Sequence, residues 1–293
     1  MRRYFTFRPV VRAPSFTVPP GACDTHFHVF GDRATYPVLP GIEHDMPEAT
    51  IDAAMAMHKK LGFSRGVIVA TTANGSDHAV VLDALKKAGP NYRACALNSV
   101  LLEKPDSYIQ TLHDAGVRGV RFNLLKMLNR MPSADDLKRC IDRARELGWY
   151  CKIQPDYDEP MESLELFQNL QQPVIIDHLA RADVTRGASD PTVIKVIELL
   201  KRGNFWLLMS NGYKISKAGY PWDDVIPVAR AFIEAAPNRM LWAIDWPHTF
   251  HEQLPPDDTD LFDLLPRITA GEAERRQILV ENPAEIFGFP PID

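Results

Sequence analysis

Short apolar runs rich in β-branched and aromatic residues alternate along this chain with longer stretches of helical period. The runs predict strands over 22–30, 64–71, 93–98, 116–124, 150–155, 173–179, 205–210 and 239–247. Between them, apolar spacings of three and four predict helices over 51–60, 134–147, 193–201 and 225–236. Ser133 stands before Ala134-Asp135-Asp136, and Asp190-Pro191 opens the segment before 193, as capped helix starts require. Eight strands, each followed by a helix, imply parallel pairing through right-handed crossovers. The α/β class follows, and a distorted (β/α)8 TIM barrel accommodates both the strand number and the chain length. An open doubly wound sheet is the competing arrangement, but no GxGxxG follows an early strand. No linker or repeat divides residues 1–293, which read as one barrel domain with 1–18 as an N-terminal arm.

In such a barrel the reactive groups belong at the C-terminal ends of the strands, on the inward face. Alternation puts His26 and His28 on one face of the first strand. On the fourth, Val120, Phe122 and Leu124 suit the outer helices, which leaves Gly119, Arg121 and Asn123 inward. On the fifth, Tyr150, Lys152 and Gln154 share a face; on the sixth, Val174, Ile176 and His178; on the last, Leu241, Ala243 and Asp245. Each polar residue has a bland explanation by itself: a satisfied core histidine, a loop-capping carboxylate, half of an ion pair. Together, His26, His28, His178, Asp245, Arg121, Asn123 and Gln154 form one cluster at the barrel top. Asn74 after the second strand and Asn211-Gly212-Tyr213-Lys214 after the seventh, Lys214 foremost, are further candidates for substrate contact, because both lie in loops that carry function in this fold.

Composition narrows the partners. The chain has 293 residues, 45% hydrophobic, and a net charge of −5, which supplies no field for nucleic acid or anionic membranes. Arg2, Arg3, Arg8 and Arg12 make the N-terminus basic, but no apolar segment resembling an export signal follows, and no run reaches membrane-span length. Cys23, Cys95, Cys140 and Cys151 show no metal or disulfide spacing and read as reduced core residues of a cytoplasmic protein. The expected partner is a small molecule; the oligomeric state stays open.

The ordered set Asp24-Thr25-His26-Phe27-His28, Asp177-His178 with Arg181, and Asp245-Trp246-Pro247-His248 resembles the amidohydrolase superfamily. More narrowly it is similar to the branch of pyrone-dicarboxylate and sugar-lactone hydrolases, over about residues 19–287, including Gly116 to Asn123 and Glu281-Asn282-Pro283. The resemblance implies the (β/α)8 barrel and hydrolysis of a lactone ring. It would make Asp245 the base that activates water, place His26, His28 and His178 around the substrate carbonyl, and give Arg121 and Arg181 a substrate carboxylate to hold. Where the dicarboxylate hydrolases carry a second basic residue this chain has Met127, where they carry a pocket tyrosine it has Gln154, and where they carry a further arginine it has Lys214. Neither methionine nor an ammonium replaces a bidentate guanidinium fork, so the expected substrate is a different lactone, with one strong anionic group or several hydroxyls.

Ligand count bears on the metal. A binuclear site needs a bridging carboxylate or carboxylated lysine, and the fourth and fifth strands offer Arg121 and Gln154. Lys152 lies deeper and reads as a buried ammonium paired with a carboxylate such as Asp24. His26, His28, His178 and Asp245 admit a single Zn²⁺ or Mn²⁺, and equally a metal-free mechanism. Rival functions on the same barrel are a lactone isomerase, since Tyr36-Pro37-Val38-Leu39-Pro40-Gly41 resembles its first loop, a metal-dependent decarboxylase, and a non-catalytic organic-acid binder. His44, His58, His78, His113 and His251 read as surface positions, and His248 as a residue of the pocket mouth.

Overall fold

The computed structural model describes residues 7–40, 48–126, 131–249 and 254–290. Eight parallel strands run in sequence order around a barrel: β1 Cys23–Phe27, β2 Arg65–Val69, β3 Tyr92–Leu97, β4 Val117–Asn123, β5 Tyr150–Gln154, β6 Val174–Ile176, β7 Phe205–Met209 and β8 Met240–Trp242. Between and after them lie α1 Ile51–Leu61, α2 Ala79–Ala88, α3 Asn98–Glu103, α4 Asp106–Ala115, α5 Ala134–Glu146, α6 Pro160–Phe167, α7 Pro191–Leu200, α8 Gly212–Ile215, α9 Ile226–Ala235 and α10 Asp258–Phe262. This is the distorted (β/α)8 barrel that the alternating pattern predicts.

The expected caps are present. Ser133 Oγ accepts from the Asp136 amide, and Asp190 Oδ1 accepts from the amides of Thr192 and Val193 with Pro191 in the first turn. That cap starts α7 two residues before the expected 193, because proline at the first helical position needs no amide partner.

Strand alternation divides the apolar residues into two layers. Val67, Val69, Cys95, Tyr150, Ile175, Trp206, Leu208, Leu241 and Ala243 fill the barrel interior, and Phe287 and Phe289 close its lower end. Ile68, Val120, Phe122, Val174, Ile176 and Leu207 face the helices. Gly119 is bare because the Tyr150 ring occupies its side: a Cβ there would lie 2.2 Å from that ring.

In proportion to the predicted runs, the largest shortening is in β6 and β8. Val174 and Ile176 face the helices and Ile175 faces the interior, so alternation carries Asp177 inward, and the expected face of Val174, Ile176 and His178 is corrected. His178 reaches the interior by another route: His178 to Arg181 all have positive φ, between 52° and 58°, which ends the strand and turns the chain across the barrel top. Asp245, with φ 62°, leaves β8 in the same way. Non-glycine residues in this region carry strain that tends to persist at functional sites.

Candidate active site

Between Asp24 and Phe27 the β1–β2 register shifts, β1 carrying one residue more than β2. His26 within this bulge and His28 just beyond it point inward together, their Nε2 atoms 3.4 Å apart. Asp245 Oδ1 completes a triangle, 3.5 Å from His26 Nε2 and 3.6 Å from His28 Nε2. Backbone bonds fix the chain on both sides, Asp245 N to His26 O at 3.0 Å and His28 N to Trp246 O at 2.8 Å.

The second atom of each group sets what the first can do. His28 Nδ1 lies 2.7 Å from the Val69 carbonyl, which can only accept, so the proton sits on Nδ1 and Nε2 presents a lone pair. Asn211 Nδ2 donates to Asp245 Oδ2 at 2.6 Å and approaches His178 Nδ1 at 3.0 Å. With that amide donating, and the Ser210 hydroxyl 2.7 Å away, His178 Nδ1 is the acceptor and its Nε2 carries the proton. His178 is thus a donor, whereas His28 presents a lone pair.

Below this layer, buried Asp177 gathers three partners. Lys152 Nζ lies 2.9 Å from Oδ1 as a close ion contact, not aligned as a hydrogen bond; Arg121 Nε donates to Oδ2 at 3.0 Å; His26 Nδ1 sits 3.5 Å from Oδ1. Lys152 is therefore the expected buried ammonium, but its partner is Asp177 and not Asp24. Asp24 points away from the interior, toward His58.

Electrostatics keep the acceptors unprotonated. Burial, with the Lys152 ammonium, lowers His26 to about 3. Burial also lowers His28 and pushes His178 well below the ordinary imidazole value. For Asp245 burial works against the ionised form, but the imidazoles and the Lys214 ammonium more than offset it and hold the carboxyl well below the usual range. Asp177 is held low likewise, by Lys152 and Arg121 against its burial. The result is an ionised carboxylate among neutral imidazoles.

The remaining candidates divide. Arg181 is buried with its guanidinium carbon 4.2 Å from the Tyr157 ring centroid, and its Nε and Nη1 have no partner among the described residues. Gln154 is buried at the inward end of β5. Lys214 Nζ contacts Asp245 Oδ2 at 3.4 Å, closer to the reacting centre than a remote substrate contact would be. Asn123 Oδ1 accepts from the Leu125 amide, and Asn74 binds Thr71 Oγ1 and donates to the Pro37 carbonyl, so both side chains organise loops.

Three histidines expected at the surface or mouth are buried. His58 bonds Asp24 and Tyr92, His78 Nε2 accepts from the Leu97 amide, and His248 pairs with Asp258 at 2.6 Å. The half-buried His113 Nδ1 accepts from Trp149 Nε1. His44, His251 and Met127 lie outside the described residues. Sequence reasoning missed Asp177 as a member of the inward cluster and ranked Asn211 behind Lys214 in the loop after β7. Counting alternation from Ile175 would have found Asp177; Asn211 leaves only the weak signal of its place after β7.

The triangle can be tested for a metal. Donors about 2.1 Å from one tetrahedral Zn²⁺ sit roughly 3.4 Å apart, and the observed separations are 3.4 to 3.6 Å. His28 further shows the outer hydrogen bond that orients metal-binding imidazoles. His26, His28 and Asp245 fit three ligand positions. His26, Asp177 and His178 also approach one another, but Asp177 is committed to Lys152 and Arg121 and His178 carries its proton on Nε2.

Residues 23–289 match the family model described as Amidohydrolase. The chain belongs to the amidohydrolase family. It is 34% identical over 283 residues to a 2-pyrone-4,6-dicarboxylate hydrolase of Comamonas testosteroni, covering 94% of this chain and 92% of that one. It is 33% identical over 277 residues to a 4-sulfomuconolactone hydrolase of Rhizobium radiobacter, again 94% and 92%. An apo crystal structure from Agrobacterium tumefaciens superposes with a TM-score of 0.82 at 24% identity, covering 97% of this amidohydrolase and all of that chain, which supports the fold. Among the described residues no helix of this amidohydrolase is long and apolar enough to cross a membrane.

Proposed function

We propose that this amidohydrolase opens the lactone ring of a small organic acid by adding water to the ring carbonyl. The observation that carries this reading is an ionised Asp245 Oδ1 that accepts no hydrogen bond among the described residues and faces the His28 lone pair, while the Asn211 amide that binds Asp245 Oδ2 also leaves the His178 proton on Nε2. Asp245 takes a proton from water as the oxygen bonds to the carbonyl carbon. His178 Nε2–H donates to the oxygen that becomes negative. As the tetrahedral species collapses, the acyl–oxygen bond breaks and the proton held by Asp245 passes to the leaving ring oxygen. Hydrolase names of the relatives from Comamonas and Rhizobium support this chemistry.

His26, His28 and Asp245 would hold one divalent ion such as Zn²⁺ or Mn²⁺, which when bound supplies Lewis-acid polarisation and a more acidic water. Elemental analysis and activity after chelation decide whether that ion is required. The roles of Asn211, Asp177 and Arg181 stand in either case.

Arg121 uses its Nε on Asp177 and Lys214 contacts Asp245, while Arg181 Nε and Nη1 have no hydrogen-bond partner among the described residues. Gln154 and Lys214, where the dicarboxylate hydrolases carry a tyrosine and an arginine, support a lactone with one strong anionic group, or a hydroxylated one, over a dicarboxylate. A lactone panel followed by proton release tests both levels. We expect monoanionic or polyhydroxylated lactones to give the highest kcat/KM. Pyrone dicarboxylate as the best substrate would overturn the substrate class, and a flat panel would overturn the lactonase reading. All four cysteines are free and buried, which supports a reducing compartment such as the cytoplasm.

A further inference from the structure

The barrel closes between β8 and β1, and this seam carries His26, His28 and Asp245. Among the described residues the two strands share no regular ladder. Four bonds cross the seam instead. The Thr25 hydroxyl donates to the Trp242 carbonyl at 2.8 Å, and the Ile244 amide donates to Asp24 Oδ1 at 3.1 Å. The other two are the backbone bonds from Asp245 N to His26 O and from His28 N to Trp246 O. Asp24 Oδ1 also accepts from the His26 amide at 3.3 Å. One carboxylate oxygen thus holds the amide of His26 and the amide of the residue before Asp245.

The other oxygen is anchored from outside the barrel. His58 Nε2, on α1, lies 3.1 Å from Asp24 Oδ2, and its Nδ1 lies 3.0 Å from the Tyr92 hydroxyl. The imidazole stacks on Tyr92 at 19° and meets Phe27 edge-on, with ring centroids 4.8 Å apart for the latter pair. Gly66 makes room for this packing: a Cβ there would lie 2.7 Å from Tyr92 and 2.9 Å from Phe27. Asp24 is fully buried and His58 is 1% exposed, so water cannot replace either partner.

We propose that Asp24 and His58, behind the strand and out of reach of substrate, are positioning residues that set the separation of His26 and Asp245. The proposal rests on the lactonase reading for its kinetic consequence but not for its geometry. With no regular ladder between β1 and β8, the Asp24 carboxylate holds the seam at the amides of His26 and Ile244. Without it those amides lose their acceptor and the seam is free to shift. A displacement of about 1 Å at the reacting groups is worth on the order of 10²-fold in rate.

Kinetics of Asp24→Ala, Asp24→Asn and His58→Leu test this, with imidazole ¹⁵N NMR of His26 and His28 read on the same proteins. Asp24→Ala should lower kcat about 10²-fold and leave KM within about threefold. Asp24→Asn, whose carbonyl oxygen still accepts both amides, should recover most of that loss. His58→Leu should give a smaller fall in kcat, about tenfold, and it decides the matter if Asp24→Ala does not fold. A purely structural role would lower Tm and leave kcat of the folded protein unchanged; that result, or a change confined to KM, overturns the proposal. If the wild type turns over no lactone, the functional reading fails and the NMR decides this one. Shifted His26 and His28 signals in Asp24→Ala or His58→Leu support positioning, and unshifted signals refute it.

Discussion

Asn211 Nδ2 donates to Asp245 Oδ2 at 2.6 Å, and the same nitrogen approaches His178 Nδ1 at 3.0 Å. A single carboxamide therefore orients the carboxylate proposed to take the proton from water and fixes the imidazole tautomer proposed to stabilise the oxyanion. Asn211 can do this because it adopts the left-handed conformation, φ 58°, immediately after β7, which asparagine tolerates better than most residues.

Removing that amide should affect turnover more than binding. Asn211→Ala should lower kcat about 10²-fold with KM nearly constant, because both groups it orients act on the transition state. Steady-state kinetics on any lactone from the panel checks this. A rise in KM alone would place Asn211 in substrate binding.

The two pocket arginines should separate. Arg181→Met removes open guanidinium donors and should raise KM about 10- to 100-fold, as expected for a charge-assisted bond to a substrate anion. Arg121→Met strips a partner from buried Asp177, so it should lower Tm as well as activity. Measuring KM and Tm for both variants tests the division. An Arg121 effect confined to KM would restore it as a direct substrate ligand.

Stability should decline on mild acidification. His26, His28, His78 and His178 are neutral in the folded protein, burial being the leading cause at each; His26 is lowered to about 3 and His78 to about 4, from an ordinary 6.5. Below about pH 6.5 the unfolded chain binds protons that the folded state does not, so stability falls as pH drops from there toward the folded values. The depressed carboxyls of Asp177 and Asp245 add stability present above their ordinary 3.8, lost as pH falls through their still lower folded values. Calorimetry at pH 5 in buffers of different ionisation enthalpy should show proton uptake on unfolding. His78→Gln, remote from the reacting groups, should reduce that uptake by about one proton. An unchanged uptake would contradict a neutral buried His78.

Much of this is legible in the amino-acid sequence. The alternation of apolar runs and helical stretches specifies the barrel, and period-two counting on β4, β5 and β8 puts Arg121, Lys152, Gln154 and Asp245 inward as found. It failed on β6, because four consecutive left-handed residues after Asp177 break the alternation and no propensity announces them. It failed on His58 because helical periodicity cannot distinguish an imidazole facing solvent from one facing a buried acceptor or donor, and on His78 because a loop or helix-edge position has no period to read. The bulge in β1 was invisible for a related reason: His26 and His28 share a face with or without it, and only the partner of Asp24 reveals the extra residue.

The central claim is that water, deprotonated by Asp245, attacks a lactone carbonyl. Turnover in H₂¹⁸O, with products read by mass spectrometry for wild type and Asp245→Asn, tests it most directly. The account predicts one ¹⁸O in the new carboxylate and none in the released hydroxyl, with the rate falling about 10²- to 10⁴-fold in the variant while its fold is retained. A product isomeric with the substrate and free of label, or near-normal labelling by Asp245→Asn, would contradict it.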